Sequence, residues 1–263
     1  MNSLSDILNI VPVYVLVLCR IAGMMVFAPL LGSTRIPKRV KAMIACVLAF
    51  TVASTMSPAV RPVQGIIQLS FGMAGEIIIG LLMGTVLSFT FISAQWAGEI
   101  IGQQLGLNIS ETLDPEFGVR GTIMSDLYFQ VTMVIFLLIG GHRAILMGVR
   151  QSFDTLPLLS GGMTGPMLGW MIDLFQASTT LALQLAAPVL VTLMITDLAL
   201  GFVGKTMPQL NVMSAGISIR ALVGLTVIIV GIGLTDSVIR QAVQEDMINV
   251  YQGWLHLRPL GGM

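Results

Sequence analysis

The residues of this chain that could do chemistry are acidic groups inside apolar runs. Glu76, Asp126 and Asp173 stand in such runs, and ionisable groups at membrane depth are functional candidates, for example as proton carriers. A multipass proton-coupled permease is therefore one interpretation. The alternative is that basic partners neutralise these acids. Arg20 and Arg220, which also lie in apolar runs, are available for that role.

Two further acids, Asp197 and Asp236, would suit an intramembrane aspartyl protease. The segment GIGLTD at 231–236 matches the GxGD pattern of such enzymes only loosely, and no Tyr-Asp partner accompanies it. The sequence has no Walker loop, no HExxH, no Ser nucleophile elbow and no Cys/His metal spacing, and His142 and His256 are far apart. We therefore predict a protein that is not an enzyme and that binds neither a cofactor nor a metal.

The composition is that of an integral membrane protein. Apolar residues make up 55% of the chain and charged residues only 10%, whereas charged residues are about 25% of soluble domains. The mean hydropathy is +0.91. Thirteen basic and thirteen acidic residues cancel, so no basic surface indicates nucleic acid or a patch for lipid headgroups. Membrane lipid is an expected partner because of the apolar composition. Cys19 and Cys46 lie in apolar runs and are expected to be small buried hydrophobic residues.

Helical segments are predicted from the apolar runs, which are interrupted by intervals rich in proline and glycine. About six such segments result, at 10–31, 40–56, 65–96, 123–140, 167–203 and 214–238. Pro12 and Pro29 bracket the first segment, 141–166 is predicted as a loop, and the tail from Ile239 is predicted to be amphipathic. The predicted fold class is an all-α membrane protein.

The segments 65–96 and 167–203 are too long to cross a bilayer once. The 32 residues of the first would reach about 48 Å as a helix, against about 30 Å of hydrocarbon. The second contains Pro188. Either such helices are broken in the middle of the membrane, as in transporters, or the assembled protein does not sit flat in the bilayer.

The densest basic cluster predicts the orientation of the chain. Arg35, Lys38, Arg39 and Lys41 lie within seven residues of one another. The positive-inside rule puts this cluster in the cytoplasm, which places the N-terminus outside.

A polar stretch at 94–121 separates two apolar segments. Gly98, Gly102 and Gly106 repeat every four residues, a spacing that lets another helix backbone approach closely. Beyond them, Asn108 and the pair Asp114-Pro115 favour turns over helix continuation. The stretch is either a solvated connection or a loop folded back into the protein, where it would line or close a passage.

The last two apolar segments are predicted to form a helical hairpin whose turn centres on Pro208-Gln209. Asp197 lies eleven residues before Pro208, and Arg220 lies eleven residues after Gln209. In an antiparallel hairpin these two positions come to the same depth. We predict that the two charges neutralise one another, or bracket the same neighbouring subunit, and are not proton carriers.

Several segments together resemble the FliR family of flagellar export-gate subunits. They occur in family order and read APLLGSTRIPKRVK (28–41), AGEIIGQQLGLNISETLDP (97–115), GGH (140–142), DTLPL (154–158) and LALGFVGKTMPQLNV (198–212). The resemblance implies a subunit that joins FliP and FliQ in a helical gate, with FlhB and FlhA below it. Unfolded flagellar substrates would pass through this gate in the bacterial inner membrane, at the flagellar basal body.

The resemblance also implies roles for parts of the chain. Residues 1–166 correspond to a FliP-like portion, 167–238 to a FliQ-like helical hairpin and 239–263 to a C-terminal tail, and the gate subunits sit largely above the membrane plane. The stretch 106–118 matches the loop that plugs the channel, with the residues Gly106, Leu107, Asn108, Ile109, Ser110, Glu111, Thr112, Leu113, Asp114 and Pro115. A turn on the cytoplasmic side comprises Pro208, Gln209, Leu210 and Asn211. Related loops carry Phe side chains where this chain has Ile109, Thr112 and Leu113, which implies a less bulky seal.

Overall fold

The regular structure of the chain is entirely helical wherever it is described. The computed structural model describes residues 4–29, 32, 36–55, 65–107, 122–159, 165–207 and 212–256. Across these ranges there are eight helices and no β-strand. The predicted fold class, an all-α membrane protein, is confirmed.

The helices are numbered here in chain order. They are α1 (Leu4–Phe27), α2 (Lys38–Thr55), α3 (Ile66–Gln104), α4 (Ile123–Leu138), α5 (Gly141–Thr155), α6 (Gly165–Thr206), α7 (Val212–Val230) and α8 (Ile232–His256). Five of the six predicted apolar segments correspond to one helix each.

The interval 141–166, predicted as a loop, begins with a helix instead. Buried side chains recur along α5 with the helical period at Ile145, Val149 and Phe153. Gly140 has a φ of 82°, in the left-handed region that favours glycine, and this conformation separates α5 from α4. The loop prediction is wrong for 141–155 because the helical period of the buried residues is a stronger signal than the glycine and proline residues of the interval, which lie mostly after Thr155.

The last predicted segment, 214–238, is divided between two helices. α7 and α8 meet at Gly231 and are bent by 59°. α8 then continues to His256, through most of the predicted tail, and it buries Ile239 and Val243.

Two smaller expectations also differ from the structure. Pro12 lies inside α1 rather than ahead of it, because the helix already begins at Leu4. Cys46 is exposed and Cys19 is only partly buried, so neither is the buried core residue that its apolar surroundings predict.

The two overlong helices, α3 and α6, are continuous. Their 39 and 42 residues correspond to lengths of about 58 and 63 Å. Pro188 lies within α6 without ending it. The continuity of both helices argues against a break in the middle of the membrane.

The helices identify the chain as a membrane protein. Within the described ranges, Ile66–Val86 and Gly169–Thr206 are long and apolar enough to cross a membrane. Up to four spans result if each of two bent helix pairs counts as one.

The chain divides into two compact units. The first unit comprises Met1–Phe89, Gly140–Leu174 and Glu245–Met263, and the second comprises Thr90–Ile139 and Phe175–Gln244. The division at 166/167 that the family resemblance implies stays a prediction.

In the first unit, α1 packs against both α2 and α3. The contact with α3 brings the two backbones together. A Cβ atom added to Gly23 would lie 2.5 Å from the carbonyl oxygen of Ile77, and one added to Gly84 would lie 2.5 Å from that of Met24. Only glycine permits this approach, as in closely packed membrane helices.

In the second unit, aromatic and hydroxyl side chains connect the helices. The ring of Phe91 in α3 contacts those of Phe129 and Phe136 in α4, with centroids 5.7 and 5.4 Å apart. The hydroxyl groups of Ser93 in α3 and Ser178 in α6 are hydrogen-bonded at 2.6 Å and are buried.

Candidate functional site

A fully buried ion pair joins α1 to α3 in the first unit. Nε of Arg20 donates to Oε2 of Glu76 at 2.6 Å, and the two side chains are 0% and 1% exposed. Gly80, one turn after Glu76, allows the backbone of Arg20 to lie directly against α3. A cation in an apolar helix needs such a partner, because an unpaired buried charge is strongly destabilising.

The same guanidinium binds the end of α5. Nη1 of Arg20 donates to the carbonyl oxygen of Ser152 at 3.0 Å, and Nη2 donates to that of Leu156 at 3.0 Å. The ring centroid of Phe153 lies 4.1 Å from the guanidinium carbon, within the range of a cation–π contact. Carbonyl groups at a helix C-terminus favour a cation. One side chain therefore connects α1, α3 and α5.

Both carboxylate oxygens of Glu76 accept a hydrogen bond. While Oε2 accepts from Arg20, Oε1 accepts from the backbone N–H of Leu159 at 3.2 Å. This arrangement gives Glu76 a structural role and disfavours its interpretation as a proton carrier. Asp126 and Asp173, the other two candidates, are exposed.

The two acids considered for a protease are each engaged by a different arginine. Asp197 accepts from Arg220 at 2.5 Å, and Asp236 accepts from Arg240 at 2.8 Å. Such separate ion pairs do not support a shared catalytic site. Within the described part of the chain, no three His, Cys, Asp or Glu side chains are grouped as a metal ion would require.

The interval 108–121, which contains most of the predicted plug, lies outside the described residues, but the chain on both sides of it is described. On the return side, Thr122 is the N-cap of α4, and its Oγ1 accepts from the N–H of Ser125 at 3.1 Å. The N–H and the hydroxyl group of Thr122 both donate to Oε2 of Glu99 in α3, at 3.3 and 3.2 Å. Thr122, the first described residue after the interval, is thus bonded to α3.

Gly98 and Gly102 pack against the same point of return. A Cβ atom added to Gly98 would lie 2.5 Å from the carbonyl oxygen of Met124, and one added to Gly102 would lie 2.9 Å from Cβ of Thr122. The two glycines therefore bring the end of α3 against the start of α4 within the chain itself. We call Gly98, Glu99, Gly102 and Thr122 the loop base.

Gly106 has a different role from the other two glycines. It lies beyond the end of α3 and has a φ of 74°. The N–H of Leu107 donates to the carbonyl of Gly102, and that of Gly106 donates to the carbonyl of Gln103, both at 3.1 Å. This is the pairing of a Schellman motif, in which a left-handed glycine ends a helix. Gly106 therefore marks where the chain leaves α3. The plug residues Asn108, Ile109, Ser110, Glu111, Thr112, Leu113, Asp114 and Pro115 lie outside the described residues.

Asp197 and Arg220 form the ion pair between α6 and α7. Nε of Arg220 donates to Oδ1 of Asp197. The side chain of Arg220 is 41% exposed and that of Asp197 is 39% exposed. Their function in assembly stays a prediction. The turn residues Pro208, Gln209, Leu210 and Asn211 lie outside the described residues.

Sequence reasoning did not identify the partners of Arg20 on α5 or the bond between Glu99 and Thr122. A usable signal existed for Thr122, since a threonine directly before an apolar run is a typical N-cap. No comparable signal links Arg20 to Ser152, because 132 residues separate them.

Comparison with known proteins places the chain among export proteins. Residues 11–245 match the family described as "Bacterial export proteins, family 1". The flagellar biosynthetic protein FliR of Bacillus subtilis (strain 168) is 29% identical over 248 residues, covering 91% of this chain and 92% of that protein. FliR of Escherichia coli (strain K12) is 27% identical over 212 residues, covering 80% of each chain.

A relative outside the flagellar proteins also matches. The surface presentation of antigens protein SpaR of Shigella flexneri is 29% identical over 160 residues, covering 61% of this chain and 62% of SpaR. Because the family match extends over most of the chain, the chain belongs to the bacterial export proteins, family 1, and is a membrane component of a flagellar or related type III export apparatus.

Proposed function

We propose that this chain is a core component of the flagellar type III export gate and forms, with FliP and FliQ, the channel through which unfolded flagellar substrates are secreted. FlhB and FlhA are the further partners, and the complex lies in the bacterial inner membrane at the flagellar basal body. Support comes from the family match and from relatives named flagellar biosynthetic proteins. The chain acts by forming a passage and is not an enzyme.

The observation that carries the proposal is the loop base. The chain leaves α3 at Gly106 and returns at Thr122, which is bonded to Glu99 and packed against Gly102. A segment that closes a passage needs a rigid attachment, because a mobile base would leave gaps around the seal. Residues 106–118 are the plug under this proposal, and Ile109 and Leu113 are its apolar sealing groups.

The surface of the hairpin formed by α6 and α7 supports assembly with other subunits. Large apolar side chains are exposed along both helices at Leu183, Val191, Met194, Ile195, Leu198, Phe202, Leu222, Leu225, Ile229 and Val230. Apolar surface of this extent is covered by lipid or by partner proteins. Since α6 is about twice as long as the hydrocarbon core is thick, part of that surface is assigned to partner subunits above the membrane plane.

The division of the chain belongs to the same proposal. Residues 1–166 are the FliP-like portion, 167–238 the FliQ-like hairpin and 239–263 the tail. The pair Asp197–Arg220 and the turn at 208–211 lie on this hairpin. We assign the turn to the cytoplasmic side.

The test removes the plug and leaves the loop base intact. Residues 109–113 are replaced by a short Gly-Ser linker, and the same replacement at 57–61, between α2 and α3, is the matched control. Co-purification with FliP and FliQ reports assembly, and ion conductance of the complex in a planar bilayer reports closure. We expect both variants to assemble and only the plug variant to leak.

Two results would contradict the proposal, and each would contradict a different part of it. Unchanged conductance in an assembled plug variant would remove the plug assignment. Failure of the unaltered chain to co-purify with FliP and FliQ would remove the gate assignment itself.

A further inference from the structure

An apolar cavity lies between α1, α2 and α5 in the first unit. Its volume is about 210 Å³. Its apolar lining consists of Ile21, Met24, Leu48, Val52, Leu146 and Val149. Two polar residues, Thr51 and Arg150, complete the lining, and the hydroxyl group of Thr51 is already bonded to the carbonyl of Val47. Arg150 is therefore the polar group that the cavity offers to a ligand.

Arg150 is the charged residue in the lining of this cavity. It is exposed, and it forms no ion pair or hydrogen bond with any residue that the structure describes. Asp154, one turn further along α5, is not within ion-pair distance of it. A guanidinium has five N–H donors in a planar fork, a geometry that matches a phosphate group. The cavity therefore joins an apolar interior to an anion-binding group.

The exposed side of α5 has the composition of a lipid-facing interfacial helix. Arg143 lies two turns before Arg150 on the same side, and Leu146 and Met147 are exposed between them. Arginine side chains next to exposed apolar side chains suit the boundary between headgroups and acyl chains, where the apolar stem lies along the chains and the charge stays in the headgroup layer. Leu146 belongs to both features, because it lines the cavity and is 46% exposed.

We propose that this cavity is a binding site for an anionic phospholipid. The phosphate group binds Arg150, and a segment of one acyl chain enters the cavity past Leu146. The volume is below the roughly 300–1,000 Å³ of sites that enclose a whole small molecule, so part of one chain enters and the remainder follows the apolar surface. The proposal requires only that the chain is a membrane protein, and it does not depend on the export function.

The experiment measures lipid bound to the full-length protein in detergent by native mass spectrometry. Phosphatidylglycerol and phosphatidylcholine with identical acyl chains are compared. We expect phosphatidylglycerol to bind more tightly, and Arg150→Gln to weaken its binding about tenfold, as for the loss of a hydrogen bond to a charged group. Arg150→Lys retains part of the binding. Arg39 on α2 is also an exposed basic residue but does not line the cavity, so Arg39→Gln is the matched control and should leave binding unchanged.

A second variant tests the acyl chain separately. Leu146→Asn makes the mouth of the cavity polar without adding a charge near Arg150, and the position is already exposed. We expect both lipids to bind more weakly while the preference for phosphatidylglycerol is kept. Inorganic phosphate added as a competitor should displace little lipid, because it lacks the chain.

A photo-crosslinking residue at position 146 identifies the occupant in membranes that contain the whole complex. We expect crosslinks to phospholipid. Crosslinks to a partner protein would overturn the proposal and assign the cavity to a subunit contact. Equal binding of the two lipids, unchanged binding in Arg150→Gln, or full displacement by inorganic phosphate would each overturn it as well.

Discussion

Removing Arg20 should destabilise the first unit more than any other single change of a polar residue there. In Arg20→Met the apolar stem is kept and the guanidinium is lost. Glu76 then remains buried with one bond, from the N–H of Leu159, and the carbonyl oxygen of Leu156 loses its donor. The perturbation therefore leaves an uncompensated charge in an apolar setting and frees the end of α5.

The expected cost follows from the burial of the pair. Because the two side chains are 0% and 1% exposed, solvent cannot replace the lost partner. Breaking such a pair from one side costs about 3–5 kcal/mol. For a domain of this size that corresponds to a fall in melting temperature on the order of 10 °C.

The double variant Arg20→Met/Glu76→Gln should recover part of this loss. The glutamine is uncharged, so no buried charge remains, and its amide oxygen can still accept from the N–H of Leu159. The remaining loss is that of a few neutral hydrogen bonds, about 1 kcal/mol each. We therefore expect the double variant to be more stable than Arg20→Met alone.

Thermal denaturation in detergent, followed by size-exclusion chromatography of a fluorescent fusion, measures these differences. Arg240→Met is the matched control, because its pair with Asp236 is 43% and 41% exposed and should contribute little. Glu76→Gln is measured alone as well. If the losses of Arg20→Met and Glu76→Gln simply add in the double variant, the two side chains are not energetically coupled and the reasoning is refuted.

Three further predictions concern positions of special geometry. Gly102→Leu should displace Thr122, lower the melting temperature and raise proteolytic cleavage within 108–121, whereas an unchanged cleavage rate would contradict the loop base. Asp197→Arg and Arg220→Asp should each reduce co-purification with partner subunits, and the double exchange should largely restore it. A double exchange as defective as the single ones would remove the pairing. Gly140→Ala should cost about 1–2 kcal/mol from backbone conformation alone, because nothing lies within 4 Å of an added Cβ, and Gly140→Asn should cost less in the same melting experiment.

The sequence predicts most helices well because apolar runs of membrane length have few other conformations available. It fails at α5, where the signal is a helical period rather than an apolar run. It also fails at Gly231, which gives the last predicted span a bend of 59°. A glycine inside an apolar run does not reveal whether the helix continues, since the answer depends on what packs against it.

The two charge pairs show why some tertiary contacts can be predicted and others cannot. Asp197 and Arg220 lie on consecutive helices, so counting residues from the turn is enough to bring them to one depth. Arg20 and Glu76 are 56 residues apart, and no turn relates them directly. Their apolar surroundings predict that each needs a partner, but only the glycine contacts of α1 with α3 determine which one.

The interior of this chain is held by polar and backbone contacts rather than by apolar packing alone. Lipid offers apolar side chains an environment as favourable as a protein core, so apolar residues cannot by themselves decide which helices meet. In the first unit, glycine contacts and the Arg20–Glu76 pair determine which helices meet. In the second unit, the loop base determines it. Large apolar residues also cover the exposed side of α6 and α7. Apolar surface of this kind suits a subunit whose surface is completed by lipid and by other subunits.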